Sequence, residues 1–446
     1  MRKQFFGSLL AVSFLFACSP AKQLGRSAKQ NVLDDPALQT AHVGISVYEP
    51  ATGKYLYNYQ GDKYFVPASN TKIPTCYAAM KYLGDSLVAA RLSVADDAAL
   101  EIYPSADPTF LHPEFAHQPL LKEISRFKTI RWNLADWQSK RWGSGWSWND
   151  YDAAYMAERS PFPIYGNVIR FSLAGDTLKT TSKDISLWFP ASDSVFKYNK
   201  ETRTIGSKKF SLDRAIDDNR FYVKPSAAAF TTAELPFRTD AGFVSKVLEE
   251  AINADNVSTF SIAPNYNYNP LKKIIRSQPT DSLLKPMMHR SDNFFAEQSL
   301  LMVSNERLGV MSDAKIIDTI LKTDFKDLPQ KPRWVDGSGL SRYNLFTPQD
   351  MVAILNKMQT EFGMERIKEI FPAGNEGTLT NYYTAGKGYL FAKTGTLSGV
   401  VALSGFLYTK QNKLLIFSVL VNNHQASAPA VRRAVEKFIE GVRAKF

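Results

Sequence analysis

Cysteine and histidine are scarce in this chain, and the sites they usually build are missing with them. Its 446 residues hold two cysteines, Cys18 and Cys76, and five histidines, His42, His112, His117, His289 and His424. There is no His-Glu-x-x-His and no paired cysteines, which argues against zinc sites, so neither a metal nor any other cofactor is expected. No Gly-x-Ser-x-Gly elbow adjoins a histidine, which disfavours a Ser-His-Asp hydrolase. A Gly-x-x-x-x-Gly-Lys-Ser/Thr loop is also absent, removing the commonest nucleotide-phosphate cradle. Formal charge reaches +11, yet there is no Lys/Arg-rich run and no nucleic-acid motif, so no nucleic acid is expected as partner. Internal repeats and low-complexity tracts are missing as well. With 44% hydrophobic and 22% charged residues, the composition is that of an ordinary globular protein, long enough for two or more domains.

What is present begins at the first residues. Arg2 and Lys3 form a positive start, and Phe5 to Ala17 is apolar but too short to span a bilayer. No later stretch is long and apolar enough to do so. Leu15-Phe-Ala-Cys18 resembles a bacterial lipoprotein signal, in which Cys18 becomes the lipid-bearing first residue; simple cleavage after Ala21 is the alternative. Either way the chain reads as exported, and a mildly basic protein suits a place beside anionic lipid or wall polymer. Cys76 is then alone, and no intrachain disulfide forms. It shares an apolar helical stripe with Ile73, Tyr77, Met80 and Leu83, which points to packing and not reactivity.

Ala21 to Asp35 is polar and compatible with helix. His42 to Tyr48 alternates Val43, Ile45 and Val47, a half-buried strand, and Pro50-Ala-Thr-Gly53 turns it into a second strand, Tyr55 to Tyr59. A helix is predicted from Ser69 to Leu83, with Pro74 early enough to be tolerated. From about Arg91 to Pro270 short strand-like runs dominate: Ile169 to Leu173, Ile185 to Phe189, Phe196 to Tyr198, Phe221 to Val223 and Thr259 to Ile262, with one helix over Ala241 to Ile252. Five of the seven tryptophans cluster here, Trp132, Trp137, Trp142, Trp146 and Trp148; they can stack on sugars, but the core of a small domain is the better reading. Helical texture resumes at Ile274, over Ser282 to His289, Asn293 to Arg307, Met311 to Thr323 and Pro348 to Glu361. Strands follow at Phe391 to Thr394, Val400 to Tyr408 and Leu414 to Asn422. A last helix starts near Ser427, apolar at Val431, Val435, Phe438, Ile439 and Val442. A hairpin at one end with strands and a helix at the other implies one domain built from both ends of the chain.

Three short strings carry the chemistry: Ser69-Asn-Thr-Lys72, Ser291-Asp-Asn293 and Lys393-Thr-Gly395. Each alone is weak. Ser-x-x-Lys recurs at Ser125–Lys128, Ser194–Lys197, Ser282–Lys285 and Ser312–Lys315, and Ser-Asp-Asn is more often a helix cap. Lys-Thr-Gly occurs once. As an ordered set they supply a serine nucleophile, an amine one helical turn away to activate it, a hydroxyl–amide pair and a strand-edge lysine. Lys72 works as a base if burial and a second cation such as Lys393 lower its proton affinity. Ser291 can pass a proton to the departing amine while the Asn293 amide fixes a substrate backbone group. Lys393, Thr394 and Thr396 can grip a carboxylate, and Gly395 is expected to let substrate lie against the strand.

With these residues the chain resembles the class C low-molecular-mass penicillin-binding proteins, D-alanyl-D-alanine carboxypeptidases with endopeptidase activity of peptidase family S13. The likeness extends to Pro67-Ala-Ser-Asn-Thr-Lys72, Ser291-Asp-Asn-Phe-Phe-Ala-Glu297, Asp336-Gly-Ser-Gly-Leu-Ser-Arg342, Thr347-Pro348, Gly377-Thr-Leu379, Lys393-Thr-Gly-Thr-Leu-Ser-Gly399 and Gly145-Trp-Ser-Trp-Asn-Asp150, and to the long gap after the first motif. It departs at Tyr103-Pro-Ser-Ala106, where the family usually carries several glycines. The resemblance implies an α+β fold of β-lactamase/transpeptidase type, an antiparallel sheet flanked by helices with a mostly β inserted domain. Residues 1–18 would be the signal, 19–90 and 274–446 two parts of one transpeptidase-like domain, and 91–273 the insertion. It implies attack by Ser69 on the carbonyl between two D-alanines with Lys72 as base. Ser291 and Asn293 would assist, Lys393, Thr394, Gly395 and Thr396 would bind substrate, and the Ser69 and Thr396 amides would form the oxyanion hole. The partners implied are peptidoglycan stem peptides ending in D-Ala-D-Ala and β-lactam antibiotics, met in the periplasm by a protein tethered through lipid on Cys18. A β-lactamase is the first rival; it shares the motifs but is normally much shorter, and no class A glutamate base can be placed. A non-catalytic wall-binding relative is the second, and the intact motif residues argue against it.

Overall fold

The computed structural model describes residues 20–95, 97–182, 186–188, 199–252, 259–262 and 272–445. Cys18 and the strand expected at Phe196 to Tyr198 lie outside them. In chain order the first elements are α1 (Pro20–Ala28), β1 (His42–Glu49), β2 (Lys54–Tyr59) and α2 (Lys72–Tyr82). Then come β3 (Ser86–Val94), β4 (Leu100–Pro104), α3 (Pro119–Ile124), β5 (Thr129–Trp132), β6 (Val168–Ala174), β7 (Thr177–Thr180) and β8 (Ser186–Trp188). They are followed by β9 (Phe210–Arg214), β10 (Arg220–Pro225), β11 (Thr232–Pro236), α4 (Ala241–Ala251), β12 (Thr259–Ile262) and β13 (Lys273–Pro279). The chain ends with α5 (Thr280–His289), α6 (Asn293–Leu308), α7 (Asp313–Lys322), α8 (Pro348–Ile370), β14 (Leu390–Leu397), β15 (Val400–Tyr408), β16 (Leu414–Asn422) and α9 (Ala428–Lys445).

The sheet that organises the molecule runs β14-β15-β16-β1-β2, all antiparallel, so both chain ends contribute to it. Its register sets Ile45 opposite Val419 and Thr394 opposite Leu403. Apolar side chains leave both faces. On one, Val43, Ile45, Val47, Phe417, Val419 and Val421 pack under α9 and α1, against Val435, Phe438, Ile439 and Leu24. On the other, Phe391, Phe406 and Ile416 meet a helical core from α2, α5, α6 and α8. Within that core α2 and α6 are buried on nearly every side, as helices surrounded by other helices must be.

Strands β3 to β13 supply three further sheets among the described residues, including β12-β5-β4-β3-β13. They enclose a separate apolar core in which Trp132 lies against Phe162, ring centroids 4.4 Å apart, with Ile102, Ile169, Phe171, Phe221 and Val247. Two expectations change. The stretch from Ile274, read as the return of helical texture, is instead in β13, which pairs with β3. Because β3 begins at Ser86 and β13 ends at Pro279, that sheet overruns the limits of 91 and 273 on both sides. Where glycine was expected, Ala106 keeps the glycine-like conformation, φ 67°, buried, with its amide on the Pro161 carbonyl at 2.9 Å and its carbonyl accepting from Gln298 at 2.9 Å. A left-handed alanine costs roughly 1–2 kcal/mol, which these bonds help to offset.

The clamp of α9 on the sheet generates one prediction. Phe438 is fully buried there, its ring centroid 6.4 Å from that of Tyr57 on β2. Phe438→Ala should lower unfolding free energy by about 3–5 kcal/mol in a urea titration; a loss below about 1 kcal/mol would mean that α9 is dispensable.

Candidate active site

Ser69 does not stand in the helix predicted for it. It sits in a 3-10 turn, Ala68–Thr71, and α2 starts only at Lys72. That turn is pinned from several directions. The Asn70 side-chain Nδ2 donates to the Lys393 carbonyl at 2.9 Å, and Asn422 on β16 brackets Val66, accepting from its backbone amide at 2.8 Å and donating to its carbonyl at 3.0 Å. Ala68 takes φ 47° to make the approach.

The fully buried Lys72 amine reaches three oxygens from three parts of the chain. Its Nζ lies 3.1 Å from Ser69 Oγ, 2.6 Å from Asn293 Oδ1 and 2.7 Å from the Ser338 carbonyl. As an ammonium it donates to all three. As a neutral amine it keeps two N–H donors for Asn293 and Ser338 and turns its lone pair on the Ser69 hydroxyl, the geometry of proton abstraction. Burial pulls its pKa down to about 8, and the carboxylates of Asp292, Asp336 and Glu297 keep it from falling further.

Ser291, Asp292 and Asn293 divide their labour. Asp292 caps α6, its Oδ1 accepting the Phe295 amide at 2.9 Å, so the cap reading and the chemical reading hold in one string. The cap orients its neighbours: Asn293 opens the helix toward Lys72, and Ser291, at φ 64°, turns toward β14. There Lys393 Nζ donates to Ser291 Oγ at 2.9 Å and to the Thr394 carbonyl at 2.8 Å. Burial, then the neighbouring Lys72 and Arg432 cations, hold Lys393 well below the usual lysine range. The three strings thus form one continuous set of contacts.

β14 is the edge of its sheet. The Ala392 amide donates away from β15, to the Pro372 carbonyl at 3.2 Å, and the two-residue alternation of a strand puts the Thr394 and Thr396 amides on that same open edge. Thr394 Oγ1 donates to Thr378 at 2.7 Å, while Thr396 Oγ1 accepts from the Arg432 guanidinium at 2.6 Å. Gly395 has a different reason from the one expected. A Cβ there would stand 2.7 Å from the Pro67 carbonyl and 3.1 Å from the Ser69 amide, so the missing side chain admits the serine turn itself, not substrate. Gly339, at φ 86°, does likewise from the far side, its missing Cβ leaving room for the Ala68 carbonyl.

Beside Ser69 and Thr396 opens a cleft of about 730 Å³ that also draws Trp146, Asp150 and Tyr155 from the inserted segment and Arg342 and Tyr343 from the loop after α7. The tryptophans therefore separate, against the expectation of one core cluster. Trp132 is core. Trp146 lines the cleft and donates from Nε1 to Asp336 at 2.9 Å, Trp142 lies beneath the Arg141 guanidinium, and Trp148 is 72% exposed. Sequence reasoning gave no role to Asp336, whose buried carboxylate accepts the Gly339 and Ser341 amides at 2.9 and 2.7 Å and shapes that loop, although its string was noticed. It gave Thr378 no role either, although the Gly377-Thr-Leu379 string contains it, and it missed Tyr155, Arg159 and Arg432 outright, since nothing near them in the chain marks them. Cys76 is buried, its thiol pushed up by desolvation, as a packing residue should be.

The contact at Gly395 yields a prediction. Gly395→Ala must push the serine turn aside, and a misplacement of about 1 Å costs on the order of 100-fold in rate. Acylation by a labelled penicillin should fall by about that factor while thermal stability changes little; an undiminished rate would show that the turn tolerates the methyl group.

Residues 26–442 match the family described as D-Ala-D-Ala carboxypeptidase 3 (S13). The chain is 28% identical to the D-alanyl-D-alanine carboxypeptidase of Actinomadura sp. (strain R39), over 91% of this chain and 82% of that one. Its fold is similar to that of penicillin binding protein 4 from Haemophilus influenzae, with TM-score 0.72 at 20% identity, covering 94% of this chain and 99% of the other. It is also similar to a predatory peptidoglycan endopeptidase from Bdellovibrio bacteriovorus, with TM-score 0.52 at 15% identity, covering 90% and 93%. By the match over nearly its whole length, this chain belongs to the D-Ala-D-Ala carboxypeptidase S13 family.

Proposed function

We propose that this protein is a serine-type D-Ala-D-Ala carboxypeptidase and D,D-endopeptidase that trims peptidoglycan stem peptides through an acyl-enzyme on Ser69, and that it binds penicillins at the same serine. The observation that carries the reading is the Lys72 amine, 3.1 Å from Ser69 Oγ and held by two further acceptors. Neutral Lys72 takes the Ser69 proton as Oγ attacks the carbonyl between the two D-alanines. Ser291, its oxygen already accepting from Lys393, keeps its own O–H for the departing amine. Lys393, Thr394 and Thr396 receive the terminal carboxylate, with Arg432 adding charge beside Thr396. The Ser69 and Thr396 amides stabilise the oxyanion, the latter on the open edge of β14. Water then releases the trimmed peptide.

Cell-wall peptides lie outside the cytoplasm, and the protein is proposed to work in the periplasm, exported by residues 1–18 and tethered by lipid on Cys18. No described helix is long and apolar enough to cross a membrane. Residues from about 91 to 273, with their separate core and their share of the cleft, are proposed as a domain inserted into the transpeptidase-like unit.

One assay separates the readings. The mature protein is incubated with a labelled penicillin and with a pentapeptide ending in D-Ala-D-Ala. A lasting adduct together with D-alanine release is expected, and Ser69→Ala should lose both. Rapid turnover of the penicillin would instead make it a β-lactamase, and no response to either would leave a wall-binding module. A pH dependence follows from Lys72. A base must be unprotonated to act, so with a pKa of about 8 the acylation rate should rise nearly tenfold per pH unit between pH 5 and 7 and level off above about 8. A flat profile over pH 5 to 9 would exclude Lys72 as the base.

A further inference from the structure

Two of the three oxygens that hold the Lys72 amine, Asn293 Oδ1 and the Ser338 carbonyl, are tied to the inserted segment, the second through Glu297. The Asn293 Nδ2 group donates to the Tyr155 carbonyl at 3.0 Å, which leaves Oδ1 facing Lys72. The Ser338 amide donates to Glu297 Oε1 at 2.8 Å, and the other Glu297 oxygen lies 3.3 Å from the guanidinium of Arg159. Arg159 is almost wholly buried and fully engaged. It meets Asp313 at 2.7 Å and the carbonyls of Lys140 and Trp142 at 3.0 and 3.1 Å. The peptide carrying the Ser338 carbonyl is also gripped on its other side, where the Gly339 amide donates to Asp336 at 2.9 Å. A buried arginine with this many partners is costly to desolvate, and a capping lysine or a water would serve a merely structural turn.

We propose that the inserted segment is part of the apparatus that holds the Lys72 amine, with Glu297, anchored by Arg159, as a positioning residue that keeps the Ser338 carbonyl on Nζ. The carboxylate fixes the Ser338 amide, the residue cannot rotate, and its carbonyl stays at 2.7 Å from the amine. The insertion then serves the proton transfer as well as lining the cleft. The inference rests on the roles proposed for Ser69 and Lys72, which the Ser69→Ala adduct assay tests separately.

Glu297 also adds negative charge near the amine. The groups facing Lys72 are Asp292, Asn293 and Glu297 from α6, Asp336 and Ser338 from the loop, Ser69 from its own turn and Lys393 from β14. Those facing Glu297 are Arg159, Asp313 and Asp336. Removing one anion makes the amine easier to deprotonate.

The test is Glu297→Gln, which keeps the shape and an acceptor for Ser338 but not the charge. With a labelled penicillin, the acylation rate constant is expected to fall about tenfold or more at pH 9.5 while the affinity of the initial complex stays within about twofold. The ratio of variant to wild-type rate should be several-fold higher at pH 7 than at pH 9.5. A wild-type rate, a ratio equal at the two pH values, or a loss confined to initial binding overturns the proposal. Should this variant not fold, Arg159→Lys carries the comparison, since lysine keeps a cation without the fork to both carboxylates. A lower acylation rate at unchanged initial affinity supports the proposal, and a wild-type rate overturns it.

Discussion

An amine buried without partners would be expelled or would lose its proton for good. Here Lys72 is kept inside by three oxygens, and each comes from a different region: the turn before α2, the start of α6 and the loop after α7. Meeting that demand fixes where these regions must lie relative to one another. It also sets the chemistry, because an amine so placed can exchange between donating to three oxygens and donating to two while accepting from one.

Close backbone approach is the second requirement. Gly395 and Gly339 bracket the serine turn where no Cβ would fit, and Gly377 does the same beside the His289 carbonyl, just ahead of Ser291. Strain gathers in the same place. Ala68 and Ser291 both take positive φ without being glycine, conformations that persist only where the surroundings impose them. Asn422, Asp292 and Asp336 are those surroundings, each spending its side chain on backbone amides of the site or of its supports.

The parts legible from sequence were those with local physical signatures. Alternation marked β1, the helical spacing of apolar residues marked α9, and three short strings marked Ser69, Lys72, Ser291, Asn293 and Lys393. The inserted strands were harder. β3 reads Ser-Leu-Val-Ala-Ala-Arg-Leu-Ser-Val, with buried residues on both faces and small ones among them, so it lacks a strand's alternation. β13 reads Lys-Ile-Ile-Arg-Ser-Gln-Pro, with adjacent isoleucines of which one is exposed and one buried, and it ends in proline, which disguised it as the approach to a helix. Arg159 and Tyr155 could not be found locally, because what makes them matter is a partner more than 130 residues away. The role of Gly395 was misjudged for a related reason: a motif shows that a side chain is missing but not what occupies the space.

The pairing of Ile45 with Val419 has a consequence for how the molecule comes into being. A nascent chain leaves the ribosome with β1 first, yet the strand that must lie beside it, β16, emerges only near the end, as does the Lys393 edge that abuts the serine. Long-range closure of this kind is slow and must wait for translation to finish. The hydrolytic centre therefore does not exist in any truncated intermediate, and a wall-cutting activity is withheld until the polypeptide is whole.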